Sequence, residues 1–129
     1  MLAMQTNTDR DLDDGSGILA TMDGDIESAK QMADLFFETG AEQIKAMMVA
    51  VGRDDAETVV FNAHKCAGGA AACGLERLAG ELHAFEHTAR GMDGEQAMRE
   101  CRRLESLFSD CRDNVALFFE GKERGKGNE

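Results

Sequence analysis

Apolar residues recur at intervals of three and four along most of the chain, which is the period of amphipathic helices. A short apolar stretch over 17–22 comes first, and a helical pattern then runs from Asp25 to Gly52, interrupted or kinked at Gly40. The later helical patterns cover 54–73, 75–89 and 93–118. Short connections between four such helices predict an all-α fold, an up-and-down antiparallel four-helix bundle with a short N-terminal capping helix.

Helix start and stop signals divide the second half of this pattern. Asp54 precedes Glu57 by three residues, and Asp93 precedes Gln96 by three, so each pair predicts a capping box at a helix start. Gly91 follows the 75–89 pattern, where we expect it to end the helix in the left-handed conformation.

The apolar stripes of these helices predict the core, and all four cysteines fall on them. The stripe positions are Ala56, Val59, Ala63, Cys66, Ala70 and Cys73; Leu75, Leu78, Leu82, Phe85 and Ala89; and Met98, Cys101, Leu104, Phe108, Cys111, Val115 and Phe118. None of the cysteines forms a Cys-x-x-Cys pair, which weakens zinc and thioredoxin-like interpretations. The four thiols are therefore expected to be buried, reduced and inert.

Chain length and net charge limit the number of domains and the kinds of partner that we expect. A chain of 129 residues fits one domain, with a disordered acidic tail over 1–14, a bundle over 15–121 and a mobile tail over 122–129. The net charge of −11 argues against nucleic-acid and anionic-membrane partners. No signal peptide or membrane-spanning run is present, which predicts a cytoplasmic protein, expected to be a monomer.

One segment, residues 62–75, carries candidate chemistry. It contains His64, and it places Gly68 and Gly69 inside a predicted helix, where each glycine costs roughly 1 kcal/mol relative to alanine. Gly68 lies four residues after His64 and therefore one turn along on the same face, which leaves space beside the imidazole. This pattern predicts an exposed nucleophilic histidine within an apolar patch formed by Val60, Phe61 and Ala71.

The same segment resembles the histidine-containing phosphotransfer (HPt) family, whose motif runs His-x-x-Lys-Gly-Ser-Ser, three variable residues and Gly. His64, Gly68 and Gly74 match the motif, Ala63 and Leu75 fit its flanks, and the resemblance extends over about 17–119. It implies that His64 accepts a phosphoryl group. It also implies a phosphocarrier that has no cofactor or metal ion of its own.

Two departures and one further position refine the resemblance. Ala67 replaces the family's lysine, and small residues replace its two hydroxyl residues. Lys65 is the nearest cation in sequence, although it projects about 100° around the helix from His64. Its side chain either offsets the charge of the phosphoryl group or is simply solvated. In some family members a polar residue 22 positions after the histidine hydrogen-bonds its ring. Glu86 occupies that position here, and the alternative is a charge at the bundle edge.

The resemblance implies a phosphorelay intermediate that exchanges phosphoryl groups with receiver domains of response regulators or hybrid kinases. Docking is expected around Val60, Phe61, His64, Gly68 and Ala71. Two alternatives stay open: an interaction-only bundle of the same fold, and a structural or metal-binding bundle. His83 and His87 form an i, i+4 pair, but the chain has no Glu-x-x-His motif, which favours surface residues over metal ligands.

Overall fold

A computed structural model of the chain describes residues 13–127. Over that range the chain is helical and contains no strand, which confirms the predicted all-α fold. The helices are α1 (Ser16–Thr21), α2 (Ile26–Gly52), α3 (Ala56–Ala72), α4 (Glu76–Thr88) and α5 (Gly94–Gly127), and a 3₁₀ turn (Ala89–Gly91) lies between the last two.

The four long helices form an antiparallel bundle around one apolar core. Each packs against the next along the chain, and α2 also packs against α5, which closes the bundle. Helix α1 covers one end: Ile18 is fully buried, and Gly17 approaches the backbone of Gly74 so closely that a Cβ there would lie 2.6 Å from its carbonyl oxygen. The connections before α3 and α4 are three residues long, so neighbouring helices have to run in opposite directions.

Gly40 does not interrupt α2, which is continuous from Ile26 to Gly52. The predicted interruption is therefore wrong, and Gly40 lies within the helix, buried against Phe108 of α5. A Cβ on Gly40 would lie 2.7 Å from Cε1 of Phe108, whose ring also contacts Phe36 and Phe37. The glycine therefore permits close helix packing.

Of the two predicted capping boxes, one is confirmed and one is wrong. Asp93 and Gln96 form the expected reciprocal cap, in which each side chain accepts a hydrogen bond from the other residue's backbone N–H. Asp54 is not the cap of α3, because it adopts a φ of +58° in the turn. Asp55 takes this role and accepts hydrogen bonds from the backbone N–H and hydroxyl of Thr58.

Gly91 does not adopt the left-handed conformation expected of a helix-ending glycine. Among the described residues only Asp23, Gly24, Asp54 and Gly74 have positive φ. The reason is that α4 passes into the 3₁₀ turn, and the chain leaves that turn through Met92 in an extended conformation.

The structure describes part of each predicted tail. Residues 1–12 and 128–129 lie outside the described range, but Asp13 accepts hydrogen bonds from the backbone N–H groups of Arg77 and Leu78 and so caps α4. Helix α5 continues past Gly121 to Gly127, and Lys30 of α2 pairs with Glu123 beyond that glycine at 2.8 Å. Within 13–127, no helix has the length and apolar character needed to cross a bilayer.

The predicted core is largely confirmed, including all four cysteines, which are buried and unbridged. Three stripe positions are wrong. Ala56 is exposed in the first turn of α3, and Met98 is only half-buried, whereas the preceding Ala97 is buried. Phe119 rather than Phe118 is the buried residue after Val115. Helical rotation of about 100° per residue accounts for this last error, since the position four residues after Val115 returns closest to its face.

Candidate functional site

His64 projects from α3 at the edge of its buried face. Ala63, Cys66 and Ala67 on either side of it are buried and fix this helix against its neighbours, whereas the His64 side chain is 70% exposed. The imidazole is therefore held on a rigid element and remains accessible to another macromolecule.

Glu86 of α4 lies beside the His64 ring. Its Oε2 atom is 2.9 Å from His64 Nδ1, a hydrogen-bond distance across 22 residues of sequence. The preceding residue, Phe85, is buried in the core and fixes the register of α4, and the Glu86 side chain is only 14% exposed. When His64 carries its proton on Nδ1, that N–H donates to Glu86 and the lone pair on Nε2 faces solvent.

The second carboxylate oxygen of Glu86 faces two further histidines of α4. Oε1 is buried, lies 3.3 Å from His83 Nδ1 and makes no aligned hydrogen bond. His83 in turn contacts His87 through their Nε2 atoms, 3.2 Å apart, with perpendicular rings. One carboxylate therefore lies between the His64 ring on α3 and the histidine pair on α4.

A shallow groove of about 340 Å³ runs beside His64 between α3 and α4. Small residues form most of its walls, which leaves the imidazole unobstructed. The lining residues are His64, Ala67, Gly68, Ala71, Ala79, Gly80 and His83.

The two glycines of α3 have different environments. A Cβ at Gly69 would lie 3.0 Å from Cδ1 of Phe36, so this glycine is explained by packing against α2. A Cβ at Gly68 would meet nothing within 4 Å, and the residue is exposed. Packing therefore gives no reason for Gly68, and the free space that it leaves lies in the groove beside His64.

The cations near His64 are engaged elsewhere. The Lys65 ammonium lies 5.1 Å from the centre of the Phe61 ring, in a cation–π contact. Arg90 pairs with Glu57 at the start of α3, at 2.8 Å. Ala67, at the position of the family's lysine, is buried against α4. No lysine or arginine among the described residues lies within 4.0 Å of the Glu86 carboxylate, whose neighbours at that distance are His64 and His83.

An apolar surface surrounds His64 on α3. Phe61 is 59% exposed, and Gly68 and Ala71 are exposed as well, whereas Val60 is half-buried and packs against the core. The structure therefore brings together the positions expected to dock a partner, with Val60 contributing least to the accessible surface.

The neighbouring thiol is not a competing nucleophile. Cys66 is fully buried, and burial raises the pKa of its thiol to about 12. The thiolate, which is the reactive form of cysteine, is therefore scarce at neutral pH. Of these two neighbouring side chains on α3, the His64 imidazole is the accessible nucleophile.

Sequence reasoning found the α3 side of the groove but missed the α4 side. Ala79, Gly80 and His83 face the small residues of α3 across the groove, and His83 approaches Glu86. The adjacent small residues Ala79 and Gly80, one to two turns before Glu86, were the available signal. Their meaning depends on how the two helices are rotated against each other.

Comparison with known protein families gives a match. The family model described as "Hpt domain" matches residues 31–116, which is about two thirds of the chain and includes His64 and Glu86. The comparisons with curated proteins and with solved structures each give no match.

Proposed function

Because the chain belongs to the Hpt domain family, we propose that it is a phosphocarrier of a phosphorelay. In this proposal, His64 accepts a phosphoryl group from the aspartyl phosphate of a receiver domain and passes it to another receiver. Response regulators and hybrid histidine kinases supply such domains, and we place the exchange in the cytoplasm.

The observation that carries this proposal is the hydrogen bond between His64 Nδ1 and Glu86 Oε2 beside an exposed ring. In the transfer, Nε2 attacks phosphorus, an N–P bond forms, and the P–O bond to the receiver aspartate breaks. The aspartate leaves as a carboxylate, and the Nδ1 proton stays on the ring. The phosphorylated ring gains positive charge, which the Glu86 carboxylate 2.9 Å away stabilises.

Docking is proposed on the α3 surface formed by Phe61, Gly68 and Ala71, with Val60 at its edge. An exposed apolar cluster around a reactive group is typical of an interface. A Cβ at Gly68 would have no neighbour within 4 Å, so this glycine leaves space for a phosphorylated aspartate one turn from His64.

Incubation with a panel of phosphorylated receiver domains tests the function. The wild-type chain should acquire acid-labile phosphate, and His64→Gln should acquire none while keeping its helical circular-dichroism spectrum. The replacement of the family's lysine by buried Ala67 favours one alternative, a bundle that binds receivers without transfer. Binding of a receiver without any labelled wild-type protein would establish that alternative. Equal labelling of His64→Gln would contradict the assignment of His64.

A further inference from the structure

His83 and His87 lie one turn apart on the exposed face of α4. Positions i and i+4 of a helix are neighbours, so both rings can approach one point in solvent. Their Nε2 atoms are 3.2 Å apart, and their ring planes are inclined by 87°.

This separation matches the spacing of two ligands on one metal ion. Zinc–imidazole bonds are about 2.0–2.1 Å long, and two of them at a tetrahedral angle place their nitrogens about 3.3 Å apart. The two Nε2 atoms therefore need little rearrangement to coordinate the same ion.

Glu86 provides a second, independent feature of a metal site. Its buried Oε1 atom lacks a hydrogen bond and lies 3.3 Å from His83 Nδ1, the ring nitrogen that faces away from His87. Metal-binding histidines commonly donate their other N–H to a carboxylate, which fixes the ring and raises its basicity as a ligand. A metal ion on Nε2 would leave the proton of His83 on Nδ1, where Glu86 Oε1 accepts it.

We propose that His83 and His87 bind a divalent transition-metal ion of the class that prefers imidazole, represented by Zn²⁺, with Glu86 as the positioning residue. The three residues offer ligand atoms within 4.8 Å of one another. Water completes the coordination, since both rings are exposed. The net charge of −11 further favours cations near the surface. The site shares Glu86 with the proposed phosphotransfer, but it uses the other carboxylate oxygen and two other histidines, so either proposal can fail without the other.

Isothermal titration of the full chain with ZnCl₂ in a non-chelating buffer tests the site. We expect one Zn²⁺ per wild-type chain and at least a tenfold loss of affinity in His83→Ala and in His87→Ala. Glu86→Ala should lower the affinity by about 10- to 100-fold, the usual effect of losing such a carboxylate. His64→Gln should bind Zn²⁺ as the wild type does.

A relocated histidine provides the matched control. The double variant His87→Ala/Thr88→His keeps three imidazoles but turns the second ring about 140° around α4 relative to His83. It should bind Zn²⁺ as weakly as His87→Ala does, with an unchanged helical spectrum. In ¹⁵N NMR spectra of the wild type, Zn²⁺ should shift Nε2 of His83 and His87.

Three results would overturn the proposal. The first is that the wild type binds no Zn²⁺ up to millimolar concentration. The second is that the variant His87→Ala/Thr88→His binds Zn²⁺ as tightly as the wild type. The third is that Zn²⁺ shifts only the signals of residues other than His83 and His87. Any of these results would mean that the contact between His83 and His87 is only a hydrogen bond between two surface imidazoles.

Discussion

At the scale of single residues, His64 is both exposed and fixed in orientation. The bundle holds the Cα of His64 through its buried neighbours, and Glu86 holds one ring nitrogen at 2.9 Å. Among residues 13–127, none hydrogen-bonds the opposite ring nitrogen, Nε2. This division between the two nitrogens determines the role that we propose for each.

Glu86 contributes both a hydrogen-bond acceptor and a charge, and two variants separate these contributions. Hydrogen bonds to charged groups are worth about 1.5–3 kcal/mol, so Glu86→Ala should slow phosphorylation of His64 about tenfold or more. Glu86→Gln retains an acceptor but loses the charge, and we expect an intermediate rate. The measurement is the initial rate of labelling by one phosphorylated receiver, with Glu105→Gln on α5 as a control that keeps the wild-type rate. Equal rates for wild type and Glu86→Ala would exclude a positioning role.

The phosphoryl charge at His64 should respond to cations at two positions. A lysine within ~4 Å of an exposed phosphoryl group attracts it by about 1 to 4 kcal/mol before screening and entropy are counted. The cation–π contact that Lys65 would leave is worth about 0.5–1 kcal/mol. We therefore expect Lys65→Ala to lower the equilibrium fraction of phospho-His64 slightly.

Ala67→Lys should raise that fraction more strongly, because the groove beside Ala67 has room for the lysine stem. Both effects should shrink at high salt. The measurement is the phosphorylated fraction at equilibrium with one receiver at two ionic strengths. If Lys65→Ala matches the wild type at low salt, Lys65 has no compensating role, and a neutral Ala67→Lys would show that side-chain charge is not limiting.

At the scale of helices, α3 carries a glycine that weakens it where the partner is expected to dock. Gly68 is exposed and helical, with no neighbour that a Cβ would contact. Because Gly68 also lines the groove beside His64, we infer that the space it leaves serves the approach of the partner.

Gly68→Ala should therefore raise stability and lower activity together. Replacing a glycine in a helix interior by alanine stabilises by about 0.5–1 kcal/mol, while the added methyl group stands one turn from His64 in the path of the partner. The measurements are urea unfolding and the rate of labelling by a receiver. Gly121→Ala in α5, also helical and unobstructed, is the matched control and should keep the wild-type rate. A Gly68→Ala variant with undiminished labelling would contradict the access role.

How much could be predicted from the sequence also depends on scale. Hydrophobic period identified the helices and most core positions, because those depend on local spacing. Gly40 was misread because its partner, Phe108, is 68 residues away in sequence and only the packed bundle brings them together. Likewise, His64 and Gly68 lie in one sequence segment, so their spacing indicates a site. Gly80 and His83 belong to the groove only because of how α3 and α4 are rotated against each other, which the sequence does not give.

At the scale of the whole molecule, the core contains buried thiols that stay protonated to high pH. Burial raises the pKa of Cys66 and Cys111 to about 12 and, with smaller effects from Glu100 and Glu105, that of Cys101 to about 11. Their ordinary value is near 9. Above pH 9 the unfolded chain therefore loses thiol protons that the folded chain keeps.

The free energy of unfolding should accordingly fall as the pH rises from about 9 towards 12, and this contribution should be fully present below pH 9. Urea unfolding at pH 8 and pH 10 measures the drop, which should be smaller in Cys66→Ala than in the wild type. The chain contains no tyrosine to add a titration in this range. An identical drop in both proteins would show that the Cys66 thiol does not contribute.

The nitrogen atom that carries the phosphoryl group shows whether His64 is the phospho-acceptor and whether Glu86 holds the opposite ring nitrogen. After phosphorylation by a receiver domain, ³¹P and ¹⁵N NMR of the labelled chain can identify the bonded nitrogen. We expect one phosphoryl group on Nε2 of His64, with Nδ1 still protonated and bonded to Glu86. A phosphoryl group on Nδ1 of His64, or on His83 or His87, would contradict this expectation.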